Sequence, residues 1–150
     1  MSDLQDLYKD VLIDHSRHPY NCRPMDHPTH QAEGHNPLCG DRVTVFLKVT
    51  DGNIEDASFT GEGCAICTAS ASLMTRRMHG VEVHRAHALF ELFHELLTSH
   101  DHDESKVADL GDPQALEGVA HYPMRVKCAT LPWHTLASAL KNDSVTTVTT

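Results

Sequence analysis

Apolar residues near the start of the chain recur with the spacing of an α-helix. They lie three to four positions apart on one stripe, formed by Leu4, Leu7, Tyr8, Val11 and Leu12. This pattern predicts an amphipathic helix that packs one face against the rest of the protein. A residue before a proline is pushed out of the helical conformation, so we expect the helix to end before Pro19. Residues 18–37, rich in Pro, His, Asn and Asp, are predicted to form a long irregular connection.

An alternation of apolar and polar residues follows over residues 42–49. Such a two-residue period is typical of a strand with one buried face. The residues on that face are Val43, Val45, Leu47 and Val49. Residues 51–53 are turn-forming, and residues 54–60 have the composition of a second strand. The sequence therefore predicts a β-hairpin.

Helical patterns dominate the remainder of the chain. Residues 65–78 suit a helix and are followed by Gly80, a common residue after a helix end. The clearest helix is predicted by a broad apolar stripe of Ala86, Leu89, Phe90, Phe93, Leu96 and Leu97. We expect a short helical segment around residues 114–118 and a long helix over residues 122–140.

The order of these elements predicts an α+β fold, in which a small antiparallel sheet of two to three strands has helices packed on one side. We place a single domain at residues 1–141 and a flexible C-terminal tail at residues 142–150. Pro132 complicates the last helix, because a proline cannot donate a hydrogen bond to the carbonyl four residues earlier. The helix is expected either to kink there or to start afresh with Thr130 as its cap.

Composition and charge narrow the function classes. The 150 residues carry a formal charge of −9 and no cluster of Lys and Arg, which argues against nucleic-acid binding. No apolar run follows a basic start, so we expect no signal peptide, no membrane association and a cytoplasmic location. In a reducing cytosol an odd count of five cysteines favours metal ligation or thiol chemistry over disulfides.

Three cysteines lie where a turn meets an ordered element. Cys39 and Asp41 flank a glycine just ahead of the first strand, so their side chains can bend toward one point. Cys64 lies between the second strand and a helix, where free N–H groups favour a thiolate. Cys128 is placed near the start of the last helix. Two nearby cations, Arg125 and Lys127, are expected to lower its pKa.

Three thiolates and one carboxylate form a donor set that suits tetrahedral zinc. The spacing is unlike that of a zinc finger, since 24 residues lie between Cys39 and Cys64 and 63 between Cys64 and Cys128. Spacing alone is therefore weak support for zinc. The hairpin strengthens it, because it can return the end of the second strand to the turn before the first.

At these residues the chain resembles the U-type iron–sulfur cluster assembly scaffold family, which comprises SufU and IscU branches and is similar to the N-terminal part of NifU. The resemblance rests on three ordered segments: residues 36–41 (NPLCGD), 63–72 (GCAICTASAS) and 122–131 (YPMRVKCATL). The IscU branch has a histidine before its last cysteine, where this chain has Lys127, and a shorter stretch ahead of that cysteine. The chain is thus identified as SufU-like.

The resemblance implies a zinc-bound sulfur acceptor that serves a pyridoxal-phosphate (PLP)-dependent cysteine desulfurase, SufS-like in kind. Both the resemblance and the flexible turn favour Cys39 as the persulfide acceptor. Asp41, Cys64 and Cys128 would complete the zinc ligands with Cys39. Arg125 is a candidate for orienting a carboxylate or steering the partner.

Other interpretations stay open at the level of sequence. The same ligands could hold a transient iron–sulfur cluster, as on an assembly scaffold, or the chain could be a zinc-stabilised interaction domain without chemistry. Cys67 forms a C-x-x-C with Cys64 and is either a packed spare thiol, which we favour, or a redox partner. The free protein could be a monomer, although the sequence does not decide its oligomeric state.

Overall fold

The computed structural model describes residues 2–99, 104–141 and 145–147, with backbone alone for 2–7, 104 and 145–147. The α-helices are α1 (Ser2–Arg17), α2 (Ala65–Met78), α3 (Val83–Thr98), α4 (Glu104–Val107) and α5 (Pro123–Leu140). The strands are β1 (His30–Asn36), β2 (Asp41–Thr50), β3 (Asn53–Glu62) and β4 (Val145–Thr147). Two 3₁₀ segments, Ala108–Leu110 and Asp112–His121, connect α4 to α5.

The four strands form one sheet in the order β3-β2-β1-β4. β2 pairs antiparallel with both β1 and β3, and the short β4 pairs parallel with β1. The predicted hairpin is β2–β3, whose turn uses Asp51 and Gly52 with φ of 54° and 80°. The predicted α+β fold is confirmed. Within the predicted tail, residues 145–147 pair with β1, while 142–144 and 148–150 lie outside the described residues.

The prediction that residues 18–37 form a long irregular connection is wrong over its last third, where β1 forms. The inward face of β1 carries Ala32, Gly34 and Asn36, which are small or polar. The hydrophobic alternation that reveals a strand in sequence is therefore missing. Small residues are needed here because α5 lies close to the strand: a Cβ on Gly34 would overlap the hydroxyl of Thr135.

The core lies between one face of the sheet and the helices. Val43, Val45 and Leu47 of β2 are at most 2% exposed, which confirms the predicted face at these three positions, while Val49 is half-buried. Trp133 of α5 is fully buried and stacks on Phe93 of α3, with ring centroids 4.1 Å apart. None of the described helices has the length and apolar character needed to traverse a bilayer.

The last helix continues through its proline. α5 runs from Pro123 to Leu140 with Pro132 inside it, so the predicted fresh start with Thr130 as a cap is wrong. Leu131, Pro132 and Trp133 are all buried, and this packing holds the helix together where one backbone hydrogen bond is missing. Cys128 therefore lies inside a continuous helix, in its second turn.

Candidate metal centre

Three separate parts of the chain meet beside the start of β2 and the end of β3. The turn between β1 and β2 carries Cys39, and Asp41 is the first residue of β2. Cys64 lies between β3 and α2, while Cys128 comes from α5. The antiparallel pairing of β2 with β3 sets Arg42 opposite Glu62, which returns the chain to the β1–β2 turn as the hairpin prediction required.

The turn that carries Cys39 is held by the residue that ends β1. Asn36 is 1% exposed; its side-chain oxygen accepts from the Leu38 N–H at 3.0 Å, and its carbonyl accepts from the Gly40 N–H at 2.8 Å. Gly40 has a φ of 79°, which favours glycine. Cys39 is consequently exposed on a turn with a defined shape.

Asp41 joins the two sides of the centre. Its side chain is buried, and Oδ1 accepts from the Cys64 N–H at 3.0 Å. The Cys64 Sγ lies 3.7 Å from Oδ2 of the same carboxylate. Cys64 is also the N-cap of α2, where its sulfur accepts from the Cys67 N–H at 3.4 Å. The position predicted for Cys64 at a helix start is thus confirmed.

Cys128 completes the cluster from the helix side. It is 3% exposed, and its Sγ lies 3.9 Å from the Sγ of Cys39. The ligand atoms of Cys39, Asp41 and Cys128 all lie within 4.8 Å of one another. Cys64 is outside that trio but contacts it through Asp41. The structure therefore brings the four predicted donors to one place, and metal ligation by them stays a prediction.

The electrostatics at Cys128 differ from the prediction. Burial raises the pKa of its thiol, and Cys64 and then Asp41 raise it further, each by a side-chain hydrogen bond and by its like charge. The prediction that Arg125 and Lys127 lower this pKa is wrong, because Cys64 and Asp41, which come from other elements, act on the sulfur more strongly. Arg125 itself is exposed on α5.

The chemistry of the donor set fits a divalent cation. In a half-buried cluster of thiols and a carboxylate, the like charges of the ionised groups repel one another, so ionisation is unfavourable. A cation at the centre of the cluster favours the ionised donors instead. Sulfur donors favour zinc or iron–sulfur clusters over hard cations such as magnesium. Three sulfurs and one carboxylate oxygen match the four positions of a tetrahedral zinc site.

Arg125 lines a groove beside the centre. The groove has a volume of about 1040 Å³ and lies between α1, the start of α2 and the residues that lead into α5. Cys64 and Arg125 both line it, as do Lys9 and Glu117. Arg125 is therefore near the cluster, on the wall of a groove open to a partner, and its predicted steering role stays a prediction.

Two other cysteines differ sharply in environment. Cys22 is exposed and belongs to an isolated bridge with Phe59. Cys67 is 3% exposed in the first turn of α2, and burial raises its pKa, with Asp41 the next cause.

We did not predict from the sequence that Asn36 would hold the turn that carries Cys39, although an Asn-Pro pair is a recognised turn pattern in sequence.

Comparison with known proteins gives consistent relatives. The family model described as the NifU-like N terminal domain matches residues 7–129. A zinc-dependent sulfurtransferase named SufU from Bacillus subtilis is 37% identical over 142 residues, which cover 95% of each chain. An iron–sulfur cluster assembly scaffold protein named IscU from Streptococcus pyogenes is 37% identical over 144 residues, which cover 96% of this chain and 89% of the relative.

A solved structure from Fervidobacterium islandicum AW-1, proposed to be an iron–sulfur cluster assembly scaffold protein for the SUF system, superposes with a TM-score of 0.81. It is 32% identical in sequence, and the match covers 87% of this chain and 94% of that one. The fold is therefore shared along nearly the whole length of the chain.

Proposed function

Since the chain belongs to the NifU-like N-terminal domain family of iron–sulfur cluster assembly scaffolds, we propose that it is a zinc-dependent sulfur acceptor. Its donor is a PLP-dependent cysteine desulfurase, SufS-like in kind. The partner forms a persulfide on its own cysteine, and a thiol of this chain takes the outer sulfur. The relative from B. subtilis carries the name of a zinc-dependent sulfurtransferase, which supports this assignment.

One observation carries the proposal: the three thiols of the cluster differ in access. Cys39 is exposed, Cys64 is half-buried and Cys128 is buried. Transfer of sulfur between two proteins requires that an outer thiol meets the partner's persulfide, while the remaining donors stay in place. We therefore assign Cys39 as the acceptor and the other donors as the fixed part of the centre.

Zinc would be held by Cys39, Asp41, Cys64 and Cys128, and when bound it would keep thiols deprotonated at neutral pH. The chain itself supplies the positioning. Asp41 is oriented by the hydrogen bond that it accepts from the Cys64 N–H, and Cys64 by the first turn of α2. A structural site of this kind adds stability as well as reactivity.

The transfer step is a thiol exchange that conserves electrons. The Cys39 thiolate attacks the outer sulfur of the partner's persulfide; a new S–S bond forms on Cys39 as the partner's S–S bond breaks. The partner's cysteine leaves as a thiolate, and the transferred sulfur remains on Cys39. No external oxidant or reductant is needed.

The surface around Cys39 suits a protein partner. Leu38, Tyr122 and Met124 are each at least 60% exposed. Leu38 precedes Cys39 in the chain, and Tyr122 and Met124 lie at the start of α5, ahead of Cys128. Large apolar side chains grouped around a reactive thiol are typical of an interaction surface. Arg125 lies on the same side and is assigned to steering the desulfurase. The chain's charge of −9 favours a partner with a basic rim, met in the cytoplasm.

The test is a sulfur-loading assay with a purified cysteine desulfurase and cysteine, followed by intact mass of this chain. We expect wild-type protein and Cys22→Ser to gain sulfur, because Cys22 is exposed but outside the cluster. Cys39→Ser should gain none. Equal loading of Cys39→Ser and wild type would contradict the assignment. Elemental analysis of Asp41→Ala, Cys64→Ala and Cys128→Ala, expected to show loss of zinc, tests the ligands separately.

The second candidate is a scaffold that holds a transient iron–sulfur cluster on the same donors. It is favoured by the IscU-named relative, whose identity to this chain is as high as that of the sulfurtransferase. Anaerobic incubation with iron and sulfide separates the two functions. Tightly held stoichiometric zinc supports sulfur acceptance, whereas a brown product with cluster absorbance supports the scaffold.

A further inference from the structure

The first turn of α2 holds two thiols on one side of the helix. Cys64 is the N-cap, with φ of −70° and ψ of 171°, and Cys67 is the third helical residue. The Cys67 N–H points at the Cys64 sulfur, 3.4 Å away, so that sulfur lies over the first turn. Residues three apart share a helix face and are separated along the axis by about 4.5 Å, slightly less than one turn.

Cys67 belongs to the core yet adjoins the metal centre. It is only 3% exposed, and the proposed sulfur transfer makes no use of it. A Cβ built on Gly63 would lie 3.1 Å from the Cys67 Sγ and 3.4 Å from Asp41 Oδ1. The Cys67 sulfur and the Asp41 carboxylate therefore both border the small space that the missing side chain of Gly63 leaves open.

We propose that Cys64 and Cys67 are an oxidation site for small hydroperoxides, closing to a disulfide that removes Cys64 from the donor set. The consequence for the metal rests on the proposed function, whereas the disulfide itself does not. A disulfide needs Cα atoms about 4.4–6.8 Å apart, a separation that an N-cap and the third residue of the same helix can provide. Closure needs no movement of one element past another.

The chemistry balances in two steps. The Cys64 sulfur attacks the peroxide, an S–O bond forms, the O–O bond breaks and an alcohol or water leaves, which gives a sulfenic acid. The Cys67 sulfur then attacks the Cys64 sulfur; the S–S bond forms, the S–O bond breaks, and water leaves with the Cys67 proton. The two thiols are oxidised by two electrons and the hydroperoxide is reduced by two.

Cys39 and Cys128 are a competing pair, since their sulfurs lie 3.9 Å apart. Both are proposed ligands, however, and they come from the β1–β2 turn and from α5, which are far apart in the chain. Cys67 is outside the donor set and is tied to Cys64 by one helical turn. Only Cys64 has to meet the oxidant, because its partner thiol attacks from within the protein.

The experiment treats reduced, zinc-loaded protein with limiting hydrogen peroxide, alkylates the remaining thiols and maps tryptic peptides. Trypsin releases peptide 49–76, which contains Cys64 and Cys67 and no other cysteine. We expect this peptide to lose two hydrogens and to escape alkylation, with stoichiometric zinc release followed by a dye. Cys67→Ser and Cys67→Ala should retain zinc at the same dose, while Cys22→Ser, which changes an exposed thiol elsewhere, should respond like wild type.

A peptide 49–76 alkylated at both thiols would overturn the proposal, as would a bridge that joins the Cys39 and Cys128 peptides as the main product. Far-ultraviolet circular dichroism checks that each Cys67 variant is folded. Two variants, Cys67→Ser and Cys67→Ala, are used so that the test can proceed if one of them does not fold. A reduced protein without bound zinc would contradict the proposed function, while the mass of peptide 49–76 decides the oxidation site by itself.

Discussion

The contact between β1 and α5 is expected to govern both stability and the geometry of the centre. Gly34 of β1 faces α5, and a Cβ at this position would overlap the Thr135 hydroxyl and lie 3.2 Å from the Leu131 Cδ1. β1 leads into the turn that carries Cys39, and α5 carries Cys128. Gly34→Ala therefore inserts one methyl group between the two elements that bring these sulfurs together.

The cost follows from the packing around this methyl group. Thr135 is fully buried, and its hydroxyl donates to the Leu131 carbonyl at 2.7 Å, so moving it away would cost packing contacts and this hydrogen bond. Overpacking of a well-packed core typically costs about 1–3 kcal/mol. In a domain of this size each kcal/mol lowers the melting temperature by about 2–4 °C, so we expect a fall of ~2–12 °C.

Urea denaturation followed by circular dichroism measures the change, and a double-mutant cycle assigns its cause. Thr135→Ala removes the overlapping oxygen, so Gly34→Ala should cost less in that background, with a coupling of at least about 0.5 kcal/mol. Because α5 must move away from β1, zinc affinity should fall in Gly34→Ala and recover partly in the double variant. This reasoning would be refuted if the free energy of unfolding of Gly34→Ala lay within ~0.5 kcal/mol of the wild-type value, which is the usual range for surface substitutions.

Two further predictions concern the sheet and its flanking charges. Gly61→Ala should lower the free energy of unfolding more than Gly52→Ala. Both residues have positive φ, but a Cβ on Gly61 would also collide with the Arg42 carbonyl, whereas a Cβ on Gly52 would meet open space. Urea denaturation of the two variants measures the difference. Burial raises the pKa of Asp56, but hydrogen bonds from Arg23 and His79 outweigh it and hold that pKa below 3.8. The carboxylate therefore stabilises the fold above pH 3.8, and this contribution is lost as pH falls through the lower folded value. Wild type should lose stability below pH 3.8 more steeply than Asp56→Asn in acid titrations; parallel curves would contradict this.

The elements that the sequence predicted well are those whose burial leaves a periodic trace. α3 ends close to where the prediction placed it, and β2 shows the expected alternation, because most of their inward residues are large and apolar. β1 left no such trace, since its inward residues are Ala32, Gly34 and Asn36. Its formation depends on a close approach by α5, and local sequence contains no information about a partner that distant in the chain.

The centre divides in the same way. The motifs pointed to the four residues that the fold brings together, and the family resemblance drawn from those motifs is confirmed by the comparisons. The direction of the Cys128 pKa was wrong, because neighbours in sequence, Arg125 and Lys127, were weighed without the Cys64 and Asp41 that the fold sets against the sulfur. The disruptive effect of Pro132 on the helix was overestimated for a related reason, because the burial of α5 outweighs the local preference of a proline.

The three thiols of the centre are fixed by structures of different stiffness, and this suits them to different tasks. Cys128 is held inside a helix and Cys64 by a helix N-terminus, so a change at either sulfur strains an ordered element. Cys39 is held only by a turn, whose hydrogen bonds run to Asn36. The thiol on the turn can therefore move toward a partner and return without opening the core. The proposed transfer of sulfur between two proteins would require that freedom, and the two helix-bound thiols are the proposed donors best placed to keep the centre intact during the transfer.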